Sequence, residues 1–288
     1  MPDPLNNSYY AATSNAWETQ PSFVGDSDYD VAVIGGGFTG LSAALACAEK
    51  GLKVALLEAK TIGFGASGRN GGQLIPGLRW SMREIDSEFG RERAKAIFDL
   101  AYCAVDRVQS RIAIHNIQCD LKPGHLETAY KPAHFEAMQR DAEFLAKEFG
   151  WESEIVAAKD LGKHIQGGGY HGGLYDNNGG HFHPLNYALG LAQAALKAGV
   201  HILENAPVGM VLPTGTPYEV CFGGHTLFAS NLVVATDTWT NEIGLFTGDD
   251  LPDLGRYTIP IMNYNVATAP LANADQLLPS DAAIADSR

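Results

Sequence analysis

The strongest constraint in this sequence is the run Gly35-Gly36-Gly37-Phe38-Thr39-Gly40, together with what stands on either side of it. Before it lies a short β-rich segment, residues 29–34 (YDVAVI). After it comes an Ala- and Leu-rich stretch, residues 38–50 (FTGLSAALACAEK), stopped by Gly51 at a C-cap position. Residues 53–58 (KVALLE) form a second buried strand. Strand, turn, helix and strand in so short a span make the two strands parallel neighbours.

The run fits the GxGxxG pattern, and each glycine has a reason. Gly35 admits the tight turn, Gly37 lets the backbone approach a pyrophosphate, and Gly40 lets the helix pack on the strand. The helix N-terminus offers unpaired N–H groups and the positive end of its dipole. Glu58 follows Gly35 by 23 residues, near the spacing of about 20 at which an acidic residue takes a ribose hydroxyl. Its charge repels a 2′-phosphate. FAD and nicotinamide dinucleotides share this pattern, and a ligand-free βα turn is the bland alternative.

Residues 63–73 (GFGASGRNGGQ) are too rich in Gly, Ala and Ser to supply core volume. They suit a backbone that runs past a flat, phosphate-bearing ligand with its N–H groups turned inward. Ser67 can bond a phosphate oxygen and Arg69 can neutralise phosphate charge. Asn70 and Gln73 can reach the polar edges of a ring. The competing reading is a mobile surface loop.

The remaining features mainly exclude. Twenty Lys and Arg against 33 Asp and Glu give a net charge of −13, which argues against nucleic acid as a partner. The acidity helps attract a cationic amine or only keeps the protein soluble. No apolar run reaches the roughly 18 residues of a membrane span. The N-terminus, MPDPLNNSYYAATSNAWETQ, lacks the basic and apolar regions of a secretory signal. Cys47, Cys103, Cys119 and Cys221 show no CxxC spacing and sit among core-type neighbours, so reduced thiols in the cytoplasm are expected. His181-Phe182-His183 reads as a strand end entering a Pro-started helix, and no metal is expected. No GxSxG, HExxH or Walker A pattern occurs.

Elsewhere, residues 1–27 read as a surface arm without periodicity. Residues 81–115 are helical with a break near Gly90. Residues 119–130 are a strand pair or bent strand, and 132–149 and 184–198 are Pro-started helices stopped by glycine. The glycine-dense 167–183 reads as turns flanking short strands. Strands are expected near 200–204, 207–212, 217–222 and 225–229, with a Gly223-Gly224 hairpin, and again at 231–236 and 258–269.

Three blocks resemble the D-amino-acid oxidase-like FAD-dependent flavoproteins, a family that includes glycine oxidase and sarcosine oxidase. They are SYYAATSN, the segment from DYDVAVIGGG to GASGRNGGQL, and GGHFHPLN at 179–186. Within the family they are most similar to the gamma-glutamylputrescine oxidases. The resemblance implies an α/β chain, α+β overall, with a Rossmann-like FAD-binding domain interleaved with a mixed-sheet substrate domain. The arm is expected at 1–27 and the two FAD-binding segments at 28–80 and 181–245. The substrate domain is expected to take 81–180 and to begin its second segment at 246–288. The cofactor contacts are expected at Gly35 to Gly40, Glu58, Ala59 and the loop Gly65, Ala66, Ser67, Gly68, Arg69, Asn70, Gly71, Gly72 and Gln73. Val208 stands on the adenine side, and Ala235-Thr236 end a strand that passes the cofactor. Asp237 departs from the Asn or small residue of relatives, and His125 from an expected glycine.

The implied activity is oxidation of an amine CH–NH2 group, with gamma-glutamylputrescine as substrate and oxygen or a quinone as acceptor. No side chain stands out as a catalytic acid or base. Relatives continue beyond residue 288, so a chain incomplete at its C-terminus is expected, with doubtful activity of its own. Another amine or amino-acid oxidase or dehydrogenase of the same family, an inactive FAD-binding remnant, and a nicotinamide-dependent reductase are the alternatives.

Overall fold

The computed structural model describes residues 8–22, 28–212, 217–242, 244, 245, 259, 261 and 263–287. One helical turn, α1 (Tyr9–Ala12), is capped by the Ser8 hydroxyl, which accepts from the Ala11 N–H at 3.1 Å. Next come β1 (Asp28–Ile34), α2 (Phe38–Ala48), β2 (Val54–Leu57) and β3 (Gln73–Leu74). They are followed by α3 (Met82–Phe89), α4 (Arg91–Ile114), β4 (Lys122–Thr128) and α5 (Pro132–Phe149). The chain continues through β5 (Glu154–Ala157), β6 (Gly172–His181), α6 (Pro184–Lys197) and β7 (His201–Leu203). β8 (Val208–Leu212), β9 (Tyr218–Phe222), β10 (His225–Val234) and β11 (Gly244–Leu245) precede α7 (Ala274–Leu277) and β12 (Ala283–Asp286). The chain forms two interleaved units, one of residues 1–71, 117–119 and 184–266, the other of 72–116, 120–183 and 267–288.

The first unit is built on a seven-stranded sheet of order β11-β8-β9-β10-β1-β2-β7. Four neighbours, β10, β1, β2 and β7, run parallel, as the spacing of the first two predicted. Their register aligns Val234, Ile34, Leu57 and Leu203, so the strands end in one row. Helix α2 buries Leu41, Ala44, Leu45 and Ala48. Its approach is set by Gly40, where a Cβ would fall on the carbonyl oxygen of Gly35. The core beneath the sheet joins Ala32, Leu57, Leu203, Val211, Val220 and Leu227, all nearly inaccessible.

Two strands expected at 225–229 and 231–236 are one continuous strand, β10. Its first half pairs antiparallel with β9 and its second half parallel with β1. Polar Asn231 interrupts the apolar pattern without ending the strand, because its amide donates to the Asp30 carbonyl at 3.0 Å. The hairpin before it turns at Gly223 and Gly224, with φ of 50° and 83°, both in the region that a type I′ turn requires.

The second unit carries a sheet of order β12-β4-β6-β3, with β5 also paired to β6. Helices α3, α4 and α5 share a cluster of Met82, Ile85, Ala94 and Tyr102 with Phe98, Phe144, Phe149 and Trp151 around it. The break near Gly90 and the Pro132 start of α5 stand as the sequence predicted. Most of the glycine-dense 167–183, read as turns flanking short strands, is one ten-residue strand, β6, at the middle of this sheet. Its glycines fit where neighbours crowd. A Cβ at Gly173 would stand 2.7 Å from the Glu127 carbonyl oxygen. β4 is a single strand with a bulge between Pro123 and His125. His125 lies buried beside it, its Nε2 without a hydrogen-bond partner among the described residues, and burial lowers its pKa.

Other expectations are corrected. To the surface arm without periodicity the described residues 8–22 add α1 and hydrogen bonds from Tyr10, Asn15, Trp17 and Gln20. No described residue of 258–269 is in a strand or a partner ladder, and Ile259, Ile261 and Val266 are more than four-fifths exposed at 82%, 87% and 92%. Residues 258, 260 and 262 lie outside the described residues. No disulfide joins the four cysteines, but Cys103 is exposed on α4 rather than in a core, and only Cys119 is buried.

Gly40→Ala tests the α2 packing. The added methyl cannot be accommodated without moving the helix from β1, and overpacking of this kind costs about 1–3 kcal/mol or more. A fall in thermal midpoint of roughly 2 °C or more is expected; an unchanged midpoint would contradict the packing described.

Candidate cofactor cleft

The row of strand ends opens into a cleft of about 380 Å³ within the first unit, inside the range of about 300–1,000 Å³ that ligand clefts occupy. Its position follows from topology. Crevices form beyond the carboxyl ends of parallel strands, where connections diverge. Ile34, Leu57 and Ala235 bring the strand ends to its floor. Gly35, Gly36 and Gly37 present bare backbone along one wall.

The loop ahead of α2 keeps this wall open. Gly35 has φ +112°, and a Cβ there would also meet the Ala235 carbonyl. A Cβ at Gly37 would stand 2.8 Å from the Ser67 Oγ. Ser67 faces the helix N-terminus, and its Oγ accepts from the Phe38 N–H at 3.0 Å. The hydroxyl proton stays available for another acceptor. The first N–H groups of α2 have no intrahelical partners and carry the positive end of the helix dipole.

Glu58 closes the opposite side. Its Oε2 accepts from the Gly36 N–H at 2.7 Å and its Oε1 from the Lys60 N–H at 2.9 Å. Burial pushes its pKa above the ordinary carboxylate range. The two N–H donors oppose that shift, and the carboxylate of Glu204 adds to it.

Of the residues singled out in the sequence, the structure gathers eleven around the cleft. These are Gly35, Gly36, Gly37, Glu58, Ala59, Gly65, Ala66, Ser67, Val208, Ala235 and Thr236. Phe38, Thr39 and Gly40 form the first turn of α2 beside it. Gly68, Arg69, Asn70 and Gly71 belong to the same unit but do not line the cleft. The Arg69 Nε donates to the Gly65 carbonyl at 3.2 Å and its guanidinium lies 5.4 Å from the Phe64 ring centre. The Asn70 amide donates to the carbonyls of Ala66 and Ser67. Gly72 and Gln73 fall in the second unit, where Gln73 Nε2 donates to the Ile284 carbonyl at 3.2 Å.

Sequence reasoning missed Lys60, Phe64, Ala206, Pro207 and Trp239, which also line the cleft. Each sits within a few residues of a strand exit or of the glycine-rich loop, the only signal that could have found them. Asp237, flagged as a departure, lines it too, with φ of 50°. Lys60 is the sole cationic residue in the lining, which also holds Glu58 and Asp237. An anionic ligand here would therefore rely on backbone N–H groups more than on side-chain charge. Among the described residues no group of three or more His, Cys, Asp or Glu could hold a metal ion, and no helix is long and apolar enough to cross a membrane.

A parallel sheet, a glycine-rich first turn and an acidic residue at the second strand's exit define a dinucleotide-binding fold. The chain belongs to the DAO family of FAD dependent oxidoreductases, which matches residues 30–287. It is 34% identical over 268 residues to "Probable oxidoreductase OrdL" of Haemophilus influenzae, covering 93% of this chain and 62% of that one. It is 31% identical over 283 residues to gamma-glutamylputrescine oxidoreductase of Escherichia coli, covering 97% and 65%. The chain thus spans a little under two thirds of the length of these curated relatives. In fold it is similar to glycine oxidase from Geobacillus kaustophilus, with TM-score 0.60, 22% identity and coverage of 76% and 58%. It is similar also to L-amino acid deaminase from Proteus myxofaciens, with TM-score 0.66, 20% identity and coverage of 80% and 50%. FAD is the cofactor of this family, and the cleft's bare glycine backbone and the N–H groups at the start of α2 fit its pyrophosphate.

The raised Glu58 pKa has a stability consequence. Because the folded state holds this proton more tightly than the unfolded chain, the contribution is full below the ordinary value of 4.5 and is lost as pH rises through the folded pKa. Chemical denaturation of cofactor-free protein and of Glu58→Gln across pH 4 to 8 checks it. The stability of the parent relative to the variant is expected to fall with rising pH; a flat difference would contradict the burial of this carboxyl.

Proposed function

We propose that the cleft binds the ADP portion of FAD and that the chain is the flavin-binding portion of an amine oxidase. The carrying observation is the junction of bare backbone at Gly35–Gly37 with the Glu58 carboxylate on one side and the Ser67 hydroxyl on the other. In this reading the pyrophosphate lies on Gly35, Gly36, Gly37 and the first turn of α2. Ser67 gives its remaining proton to a phosphate oxygen. Glu58 uses two acceptor sites on Gly36 and Lys60, and its remaining lone pairs take the ribose hydroxyls. Val208 flanks the adenine, and Ala235 and Thr236 flank the middle of the cofactor. The first unit is the cofactor domain and the second the substrate domain.

When bound, FAD supplies the redox chemistry, accepting hydride from the carbon beside a neutral amine. The residues of this chain bind and orient it. We propose gamma-glutamylputrescine as the substrate, supported by relatedness to the E. coli oxidoreductase over nearly the whole of this chain. The acceptor is oxygen or a quinone. Four cysteines without a disulfide support a cytoplasmic home.

Two measurements test this reading together. Apoprotein titrated with FAD should bind it, and Gly37→Val, which fills the gap to Ser67, should purify without yellow colour. A fully flavinated Gly37→Val would remove the cleft assignment. A homologue carrying the additional length of the relatives should then be assayed for peroxide release and quinone-dye reduction with gamma-glutamylputrescine, sarcosine, glycine and D-alanine. Turnover only with an amino acid would replace the proposed substrate while leaving the cofactor site intact.

A further inference from the structure

The cofactor reading leaves unused the arm ahead of β1 and the most deeply buried carboxylate of the first unit. Residues 8–22 of the arm are hydrogen-bonded to the rest of the first unit. The Tyr10 hydroxyl donates to the Asn70 carbonyl at 2.7 Å, at the end of the glycine-rich loop. The Asn15 N–H donates to Asn186 Oδ1 at 2.7 Å, and its amide to the Gln118 carbonyl at 2.6 Å. The Trp17 Nε1–H and the Gln20 N–H both donate to Glu204 Oε2, at 3.0 and 2.7 Å.

Glu204 is completely buried, at 0% exposure. Its other oxygen, Oε1, accepts from the Ile62 N–H at 2.6 Å. All three partners are N–H donors, and no ion pair to Glu204 is present among the described residues. Burying a carboxylate is costly unless its lone pairs are filled. Here the arm fills one oxygen and the turn at Ile62 the other. An amide at this position would set an NH2 group against a donor.

Glu204 also stands at a structural crossing. It directly follows β7, whose exit is knitted to the exit of β2. The Glu58 N–H donates to Leu203 at 2.8 Å, Asn205 to Lys60 at 2.8 Å and Ala206 to Glu58 at 2.9 Å. The turn held at Ile62 is fastened in turn to the fingerprint loop, since the Gly63 N–H donates to the Gly36 carbonyl at 3.0 Å. The Ile62 side chain lies directly under Gly36, where a Cβ would come within 2.9 Å of it. One carboxylate therefore joins the arm, the strand exit that carries Glu58, and the turn behind Gly36.

We propose that Glu204 is a positioning residue for the dinucleotide cradle, and that the N-terminal arm is a strap whose docking on Glu204 is coupled to cofactor binding. The inference rests on the assignment of the cleft to FAD. Removing the strap leaves Oε2 without its donors, which loosens the hold on Ile62 and thus on Gly36. Coupling is reciprocal, so bound cofactor must also hold the strap more firmly.

The test uses the full chain, its Glu204→Gln and Trp17→Phe variants, and the double variant. FAD affinity is measured by titrating apoprotein, and hydrogen exchange is followed across residues 10–20 with and without FAD. The dissociation constant is expected to rise about tenfold in Glu204→Gln and by a smaller factor in Trp17→Phe, as for loss of hydrogen bonds to a charged group. The double variant should bind no more weakly than Glu204→Gln, because the two residues share one interaction. Saturating FAD should slow exchange in the arm of the parent and have little effect in Glu204→Gln. A merely structural carboxylate would lower stability without making arm exchange depend on FAD. Unchanged affinity in both variants, additive losses, or arm exchange indifferent to FAD overturns the strap while leaving the cleft assignment standing. A parent that binds no FAD overturns both. If Glu204→Gln does not fold, the affinity and arm exchange of Trp17→Phe against the parent decide the matter.

Discussion

The first unit depends on how closely α2 approaches the end of β1. With no side chain at Gly40, the helix sits against the Gly35 carbonyl, and its first N–H groups arrive level with the row of strand ends. A longer approach distance would carry the helix terminus away from Ser67 and from the cleft. The parallel register then does the rest. Because Ile34, Leu57, Leu203 and Val234 align, four chain exits meet at one place, and whatever they carry becomes the wall of a single cleft.

Two of those exits carry carboxylates, Glu58 after β2 and Glu204 after β7. Glu204 is fully buried and Glu58 half-buried at the cleft, and neither forms an ion pair among the described residues. The protein answers with N–H donors instead, from Gly36 and Lys60 for the first and from Ile62, Trp17 and Gln20 for the second. Charge-assisted hydrogen bonds of this kind are directional, and removing one leaves a buried acceptor short of a partner. The same scarcity of cations extends to the cleft, whose lining sets Lys60 alone beside the two acidic residues Glu58 and Asp237. Dipoles and backbone groups, not a basic patch, define its polarity, in keeping with the acidic balance of the whole chain.

What was legible in the sequence was local. The β1-α2-β2 unit, the helix caps at Pro132 and Gly150 and the Gly223-Gly224 hairpin all announce themselves through spacing and residue type. What was hidden depended on distant partners. β6 reads as a series of turns because its glycines answer to crowding by neighbouring strands rather than to a bend. β10 reads as two strands because Asn231 finds its partner on β1. The arm reads only as a surface segment without periodicity because its bonds to Glu204 reach across 184 and 187 residues. In the cleft, the fingerprint, Glu58 and Ser67 could be named in advance. Trp239 and Lys60 could not, since only the meeting of strand exits gives them a role.

The central claim is that this meeting of strand ends is where FAD binds. Hydrogen exchange of the full chain, compared with and without saturating FAD, addresses it residue by residue. Slowed exchange concentrated at 35–40, 58–67 and 235–239 is the expected result. Slowing confined to other segments, or none at all under conditions where FAD is bound, would contradict the account.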